Sequence, residues 1–142
     1  MKTTERLITQ LKMMEGLRMT AYRDAAGVLT IGYGHTGSDV SEGDRISEYW
    51  ANELLAEDVA HTAVAVKELK VARTEGQLDA LVSLAFNIGI EALKRSTLLR
   101  VIRAHGSKNE IRREFRRWVY CKGKVLPGLV KRREWEAKRF FE

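Results

Sequence analysis

The chain has 142 residues, of which 44% are hydrophobic and 31% are charged. This length suits one compact domain, or two small lobes that share a core, and the single proline argues against long disordered linkers. No window approaches the roughly 18 apolar residues of a membrane-spanning helix. The lone cysteine, Cys121, excludes an internal disulfide bond and fits a reducing cytosol.

The first segment of the chain has a helical pattern. Apolar residues recur at helical spacing at Leu7, Ile8, Leu11 and Met14, which predicts an amphipathic helix over residues 4–14. The same segment has no continuous apolar stretch before a cleavage-like site, so we expect neither a signal peptide nor an N-terminal anchor. Synthesis in the cytoplasm is the corresponding expectation.

A β-hairpin is predicted next. In "AYRDAAGVLTIGYGH", β-favouring residues lie on both sides of a small-residue turn that contains Gly27. Gly32 and Gly34 leave room for another backbone or a ligand to approach the returning strand closely. The following "TGSDVSEGD" is rich in turn-forming residues and is predicted to be a loop.

The middle of the chain is predicted to be helical. One helix begins near Ser47 and ends near Lys67, with one apolar face formed by Trp50, Leu54, Leu55 and Val59. In "TEGQLDALVSLAFNIG", Thr74 and Gln77 have capping-box spacing, and Gly89 can end the helix. Because this second helix is apolar on nearly every side, we expect it to be the buried central helix.

Three further helices are predicted in the last third. Ser96 can cap "TLLRVIRAH", with Gly106 closing it, and Pro127 stands where a helix accepts proline, in the first turn of the last helix. Between them, "NEIRREFRRWVYC" is predicted to be one amphipathic helix, since apolar residues recur at i, i+4, i+7 and i+8, namely Ile111, Phe115, Trp118 and Val119.

These elements predict an α+β fold that is mostly helical. A small N-terminal β-hairpin lobe is expected over about residues 15–46, and a larger helical lobe over residues 1–14 and 47–142. We expect a cleft between the two lobes, because clefts of this kind are common ligand sites.

The charge of the chain is unevenly distributed. Residues 1–93 carry 9 Lys and Arg against 14 Asp and Glu, a net −5, whereas residues 94–142 carry 16 against 5, a net +11. Such asymmetry indicates a polyanionic partner, either nucleic acid or an acidic bacterial wall or outer-membrane surface. The basic segments "IRREFRRW" and "KRREWEAKRFF" are compatible with an anionic surface, but an ordinary amphipathic helix that buries its aromatic residues has the same pattern.

Two carboxylates and a threonine lie close together in "EGLRMTAYRDAAGVLTIGYGHT", residues 15–36. Glycoside hydrolysis needs a carboxylic acid to protonate the leaving oxygen and a second group that attacks the sugar or activates water. Glu15, at the end of the first helix, suits the acid because the helix dipole disfavours its ionised form. Asp24 and Thr30 could hold a water, although a Glu at a helix end and an Asp in a turn are commonly solvated surface residues.

Four other residues are candidates for lining a substrate site: Gly32, His35, Phe86 and Asn87. For His35, pairing with a carboxylate or orienting the hairpin is the favoured interpretation. Phe86 is expected to pack, whereas Asn87 needs a polar partner that could equally be substrate or protein. The three His and one Cys are far apart in the sequence and show no metal-site spacing, so we expect no metal.

The segment from Glu15 to Thr36 resembles the start of phage-type lysozymes, the endolysins of glycoside hydrolase family 24. The catalytic pattern of that family is Glu, eight residues, Asp, five residues, Thr, and it matches at Glu15, Asp24 and Thr30. The resemblance continues in "QLDALVSLAFNIG", "STLL" and "PGLVKRREWE", so it covers nearly the whole chain in the right order.

The resemblance implies a single lysozyme-like domain over residues 1–142 that cleaves the β-1,4 bond between N-acetylmuramic acid and N-acetylglucosamine in peptidoglycan. By position, Glu15 would be the general acid, Asp24 and Thr30 would activate water with inversion, and Arg132 or Arg133 would lie near the acid. It further implies no cofactor, a monomer, and release to the wall with the help of a holin.

Two other functions compete with this hypothesis. The basic half of the chain could bind nucleic acid, but it has no recognised signature and leaves residues 15–36 without a role, so we expect no nucleic-acid partner. A lysozyme fold kept only for wall binding is the second alternative. The complete set of Glu15, Asp24 and Thr30 argues against it, because a pure binding module has no need of an acid there.

Overall fold

The computed structural model describes all 142 residues and consists of seven helices and five short strands. In chain order these are α1 Glu5–Glu15, β1 Arg18–Arg23, β2 Leu29–Gly32, β3 His35–Thr36, α2 Glu48–Glu68, α3 Glu75–Ile88, α4 Ile90–Lys94, α5 Thr97–Arg103, α6 Lys108–Arg116, β4 Tyr120–Cys121, β5 Lys124–Val125 and α7 Pro127–Phe140. The predicted fold class, mostly helical with a small N-terminal hairpin, is confirmed. No helix combines the length and the apolar character that crossing a membrane requires.

The chain divides into two compact units. One is Ile8–His61, and the other combines Met1–Leu7 with Thr62–Glu142. The predicted lobe boundaries and the cleft between lobes stay predictions.

The first unit contains a three-stranded antiparallel sheet in the order β1-β2-β3. The hairpin of β1 and β2 turns at residues 24–27, where Gly27 has a φ of 82° that L-residues rarely adopt. Strand β3 adds a third member that the sequence pattern does not predict, because two residues are too few to show alternation.

Helix α2 buries part of the apolar face that the sequence predicts, including Leu55 and Val59. The buried positions are Ala51, Leu55, Val59, Ala63 and Val66, whereas the side chain of Trp50 is 58% exposed. The prediction that Trp50 belongs to the apolar face is therefore wrong. Two alanines complete the buried face at helical spacing, whereas the hydrophobicity of Trp50, in the first turn of the helix, does not correspond to burial.

Helix α3 is the buried helix that its apolar sequence predicts. The Thr74 side chain accepts a hydrogen bond from the Gln77 backbone N–H, and Gly89 follows the last residue with a φ of 92°. Nine of its residues are buried, and two of them, Asp79 and Ser83, are polar. Both polar side chains have partners on α7, so α3 is a polar anchor as well as an apolar core element.

The predicted helix over residues 109–121 is too long. Helix α6 ends at Arg116, and Trp118 and Val119 lie beyond it, next to the small hairpin of β4 and β5. The two-residue turn Lys122–Gly123 has φ values of 51° and 77°, which suit the twist of a hairpin and cannot continue a helix. The local geometry of this turn overrides the helical spacing of the apolar residues.

Candidate active site

Glu15 is held at the end of α1, next to a glycine of the returning sheet. Helix α1 ends at Glu15 because the next residue, Gly16, has a φ of 72°, which is not helical. The Gly16 N–H caps the helix by donating to the Lys12 carbonyl at 3.0 Å. The Glu15 side chain is half-buried and lies against Gly34, between β2 and β3. A Cβ placed on Gly34 would be 2.6 Å from Glu15 Oε2, so no side chain fits there without displacing the carboxylate.

Asp24 opens the β1–β2 turn with one carboxylate oxygen fixed by the backbone. Its Oδ1 accepts hydrogen bonds from the N–H groups of Ala26 and Val28, both at 2.9 Å. The side chain is exposed, and its second oxygen, Oδ2, accepts no hydrogen bond from the protein. The turn therefore orients the carboxylate and leaves Oδ2 available as an acceptor.

Thr30 lies on β2 and is only 3% exposed. Its hydroxyl donates to the Val28 carbonyl at 2.9 Å, so the proton of the hydroxyl is already used and its oxygen remains an acceptor. Tyr22 stands opposite Thr30 in the β1–β2 register, and the Asp24 N–H bonds the Val28 carbonyl two residues further along. Because side chains alternate along strands, this register puts Asp24 and Thr30 on one face of the hairpin.

His35 is clamped between two carboxylates. Its Nδ1 lies 2.8 Å from Asp58 Oδ2 on α2, and its Nε2 lies 3.0 Å from Asp39 Oδ2. Burial of the ring disfavours protonation, but the hydrogen bonds to Asp58 and Asp39 outweigh it and raise the pKa of His35. The geometry agrees with the predicted carboxylate pairing.

The two carboxylates that clamp His35 are not found by sequence reasoning. Asp39 is four residues from His35 in a loop, and Asp58 is 23 residues away on a helix. Only the i, i+4 spacing of Asp39 offers a local signal, and that spacing has meaning in a helix rather than in a loop.

The other substrate-site candidates make contacts within the protein. Gly32 is buried, and a Cβ there would lie 3.3 Å from Ile46 Cδ1 and 3.4 Å from Ala51 Cβ. Phe86 is half-buried on α3, whereas Asn87 is exposed and its Oδ1 accepts a hydrogen bond from Arg133 at 2.8 Å. The polar partner expected for Asn87 is thus present in the protein.

Arg132 and Arg133 are both buried on α7, in a cluster with Glu136. Arg133 Nε lies 2.9 Å from Glu136 Oε1, and Ser83 of α3 donates its hydroxyl to Glu136 Oε2 at 2.5 Å. Arg132 donates to the Ser83 carbonyl at 3.3 Å. Burial raises the pKa of the Glu136 carboxyl and lowers the pKa of Arg133, while the opposite charge of each partner acts against these shifts. Which arginine neighbours Glu15 stays a prediction.

The sequence and the structure match proteins of known type. The family model of phage lysozymes matches residues 12–136. An endolysin of Bacillus phage B103 is 48% identical over 94% of the chain, and the chain spans about half, 51%, of that relative's length. An endolysin of Acyrthosiphon pisum secondary endosymbiont phage 1 is 42% identical, with 99% of the chain and 98% of the relative covered. The muramidase domain of SpmX from Asticaccaulis excentricus has a TM-score of 0.88 at 35% identity, over 99% of the chain and 98% of that domain.

Proposed function

The chain belongs to the phage lysozyme family, and we propose that it is a muramidase that hydrolyses the β-1,4 bond between N-acetylmuramic acid and N-acetylglucosamine in peptidoglycan. Membership of a hydrolase family supports the class of reaction. The observation that carries the detailed proposal is the pair of oriented acceptors, Asp24 Oδ2 and Thr30 Oγ1, on one hairpin face.

Glu15 is the general acid of the proposed reaction. Its protonated carboxyl transfers a proton to the glycosidic oxygen as the bond from that oxygen to the anomeric carbon breaks. The contact with Gly34 supports this role, because it limits the positions that the carboxylate can take. A catalytic acid that is held in one position spends more of its time in the geometry that allows proton transfer, which raises the rate.

Asp24 and Thr30 hold the attacking water. A water molecule has two protons, and each of these side chains offers one acceptor oxygen. When both protons are accepted, a lone pair of the water is free to attack the anomeric carbon. Asp24 then takes up the proton that the water loses, and the released sugar carries the new hydroxyl on the face opposite the departing bond.

This arrangement predicts inversion at the anomeric carbon. A retaining enzyme would need Asp24 itself to form a covalent bond to the sugar. The hydroxyl of Thr30 would have no evident part in that reaction, whereas in an inverting reaction it helps to position the nucleophile. The chain needs no metal or cofactor for either step.

The charge of residues 94–142 suits an enzyme that must reach an anionic wall. We propose that the exposed cations in this region speed encounter with that surface and that no nucleic acid is bound. We further propose that the enzyme is a monomer. It is made in the host cytoplasm and reaches the wall after holin-type release.

Digestion of purified peptidoglycan tests the reaction and the acid together. Wild type and Glu15→Gln are incubated with the wall, and the soluble fragments are analysed by mass spectrometry. We expect wild type to release fragments with reducing-end N-acetylmuramic acid, and Glu15→Gln to lose roughly 10²–10⁴-fold in rate, the usual contribution of a general acid. Anhydro ends would identify a lytic transglycosylase instead, and wall binding without release would mean a binding protein.

Proton NMR of the freshly released reducing end tests the stereochemistry. Inversion of a β-linkage gives the α-anomer first, before mutarotation equilibrates the two forms. Initial β-anomer would contradict the water-holding roles of Asp24 and Thr30, while leaving the muramidase assignment intact.

A further inference from the structure

The turn between β2 and β3 packs against the last turn of α1. Two residues of the helix, three positions apart, face the two residues of the turn. Lys12 Nζ lies 5.6 Å from the centre of the Tyr33 ring, and the Glu15 carboxylate lies against Gly34. Because residues at i and i+3 share one face of a helix, the turn contacts both at once.

The end of the Glu15 side chain occupies the space that a side chain on Gly34 would need. A Cβ at this position would stand 2.6 Å from Oε2, 3.0 Å from Cδ and 3.4 Å from Cγ. The shortest of these separations is well inside the van der Waals contact distance, so an added methyl group requires one of the two partners to move.

The turn is held on both sides of Gly34. On one side of Gly34, Tyr33 is only 8% exposed, and on the other, His35 is bonded to both Asp58 and Asp39. The atoms that an added Cβ would meet all belong to the Glu15 side chain, and none of them is backbone. A methyl group on Gly34 therefore displaces the carboxylate rather than the turn.

We infer that Gly34 is a positioning residue for the general acid, because its missing side chain leaves the space in which the Glu15 carboxylate stands. This inference rests on the proposed function, since it supposes that Glu15 protonates the leaving oxygen. The effect reaches catalysis only through Glu15.

A simpler role for Gly34 is conformational. Its φ is 78°, a value that strains any L-residue, so Gly34→Ala destabilises the fold even without the contact. Gly43 provides a matched control in the same unit. Its φ is 84°, and nothing lies within 4 Å of where its Cβ would be. Gly43→Ala therefore imposes the backbone strain without the collision.

Steady-state digestion of peptidoglycan by wild type, Gly34→Ala and Gly43→Ala separates the two roles. We expect Gly34→Ala to lower kcat about 100-fold, the cost of displacing a catalytic group by about 1 Å, with KM unchanged. Gly43→Ala is expected to lower the Tm and leave kcat unchanged. Equal kcat values for the two variants would overturn the inference.

Thermal unfolding of a double-mutant cycle tests the contact without any activity. The loss of Tm caused by Gly34→Ala should be smaller in a Glu15→Ala background, where the colliding carboxylate is absent. If Gly34→Ala fails to fold alone, folding of the double variant supports the contact, and failure of both overturns it.

The two measurements also separate this inference from the proposed function. Wild type that folds but releases no fragments would defeat the proposed function, and the role of Gly34 in catalysis with it. Active wild type with an additive unfolding cycle would defeat the Gly34 inference alone.

Discussion

At Thr30, a hydroxyl that is buried and already donates its proton can act on a ligand only as an acceptor. The hydrogen bond that the Thr30 hydroxyl makes therefore limits its possible roles more than the identity of the residue does. A threonine is compatible with a nucleophile, a donor or a packing residue, and the bond to the Val28 carbonyl selects one role. The Asp24 carboxylate is restricted in the same way by its two backbone N–H bonds.

Thr30→Val is predicted to lower kcat while leaving the protein folded. Valine has nearly the same shape but no acceptor oxygen, and the hydrogen bond that it removes is worth only about 0.5–1.5 kcal/mol in folding. Thr30→Ser is the control, because it keeps the oxygen and loses a methyl group. Rates of fragment release and Tm values for both variants measure this. Comparable activity of Thr30→Val and wild type would show that the oxygen holds no water.

The His35 clamp makes stability depend on pH. Because the pKa of His35 is raised in the folded state, its ion pair with Asp58 stabilises the protein fully below the unfolded value of about 6.5 and is lost as pH rises through the folded pKa. Asp58→Asn should therefore cost about 1–2 kcal/mol near pH 5.5 and progressively less above neutrality.

Denaturant unfolding of wild type and Asp58→Asn across this pH range measures whether the difference in their free energies of unfolding shrinks as pH rises. At lower pH the difference in the free energy of unfolding should decrease again as Asp58 takes up a proton, since burial raises the pKa of Asp58. Asp39→Asn is the control. Its carboxylate is 64% exposed, so its loss should cost less than about 1 kcal/mol. A difference that grows toward alkaline pH would contradict the ion pair.

At the scale of elements, the start of α3 meets the end of α7 backbone to backbone. A Cβ on Gly76 would stand 2.5 Å from the Arg139 carbonyl oxygen and 2.6 Å from that of Glu142. Backbone atoms cannot turn aside as side chains do. The approach of these two helices therefore requires a residue without a side chain.

Gly76→Ala is predicted to destabilise the protein by about 1–3 kcal/mol through this overpacking. Gly128, in the first turn of α7, has nothing within 4 Å of a Cβ and no unusual φ, so Gly128→Ala should stabilise by up to about 1 kcal/mol through helix propensity. Free energies of unfolding from denaturant titration compare the pair. The same sign for both substitutions would contradict the close approach of α3 and α7.

The elements also show where sequence patterns suffice and where they do not. Caps and long apolar runs predict α3 from Thr74 to Gly89, because every local signal agrees with the packing. The end of α6 is missed because the apolar residues keep a helical spacing past Arg116, while the Lys122–Gly123 turn requires a hairpin. The spacing of apolar residues is read over a whole segment, so it does not reveal a turn that only two residues determine.

The candidate site divides in the same way. Glu15, Asp24 and Thr30 lie within 16 residues of one another, so a local motif is enough to propose them as site residues. The clamp on His35 comes partly from α2, and the partner of Asn87 comes from α7. Contacts between residues far apart in the chain depend on how helices pack, and no motif encodes that packing.

At the scale of the whole molecule, part of the basic charge is internal. Arg132, Arg133 and Arg139 are three of the sixteen basic residues after position 93, and all three are buried beside Glu136 or Asp79. They hold α7 to α3 rather than attract a partner. The surface field of this region is correspondingly weaker than the net charge of +11 suggests.

The remaining exposed cations predict a salt-dependent rate on intact walls. Raising ionic strength from about 0.01 M to 0.15 M shortens the screening length from about 30 Å to about 8 Å, so kcat/KM on peptidoglycan should fall. A short glycan fragment carries far fewer charges than the wall, so salt should change its rate of cleavage much less. Turbidity assays on walls and chromatography of the fragment give the two rates, and equal responses would exclude steering by the wall.

Asp79 joins three distant parts of the sequence, with consequences for folding during translation. Its carboxylate bonds the Thr4 backbone N–H at 2.9 Å and Arg139 at 3.0 Å. Thr4 and Asp79 leave the ribosome long before Arg139, which follows Asp79 by 60 residues. At about 5–20 residues per second this is a wait of roughly 3–12 s. During that time, Asp79 lacks its partner Arg139, so the unit that contains Thr4 and Asp79 is incomplete. All residues of the unit Ile8–His61 have already been synthesised. The nascent chain should therefore gain protease resistance first in Ile8–His61, and in the other unit only after Arg139 has been synthesised.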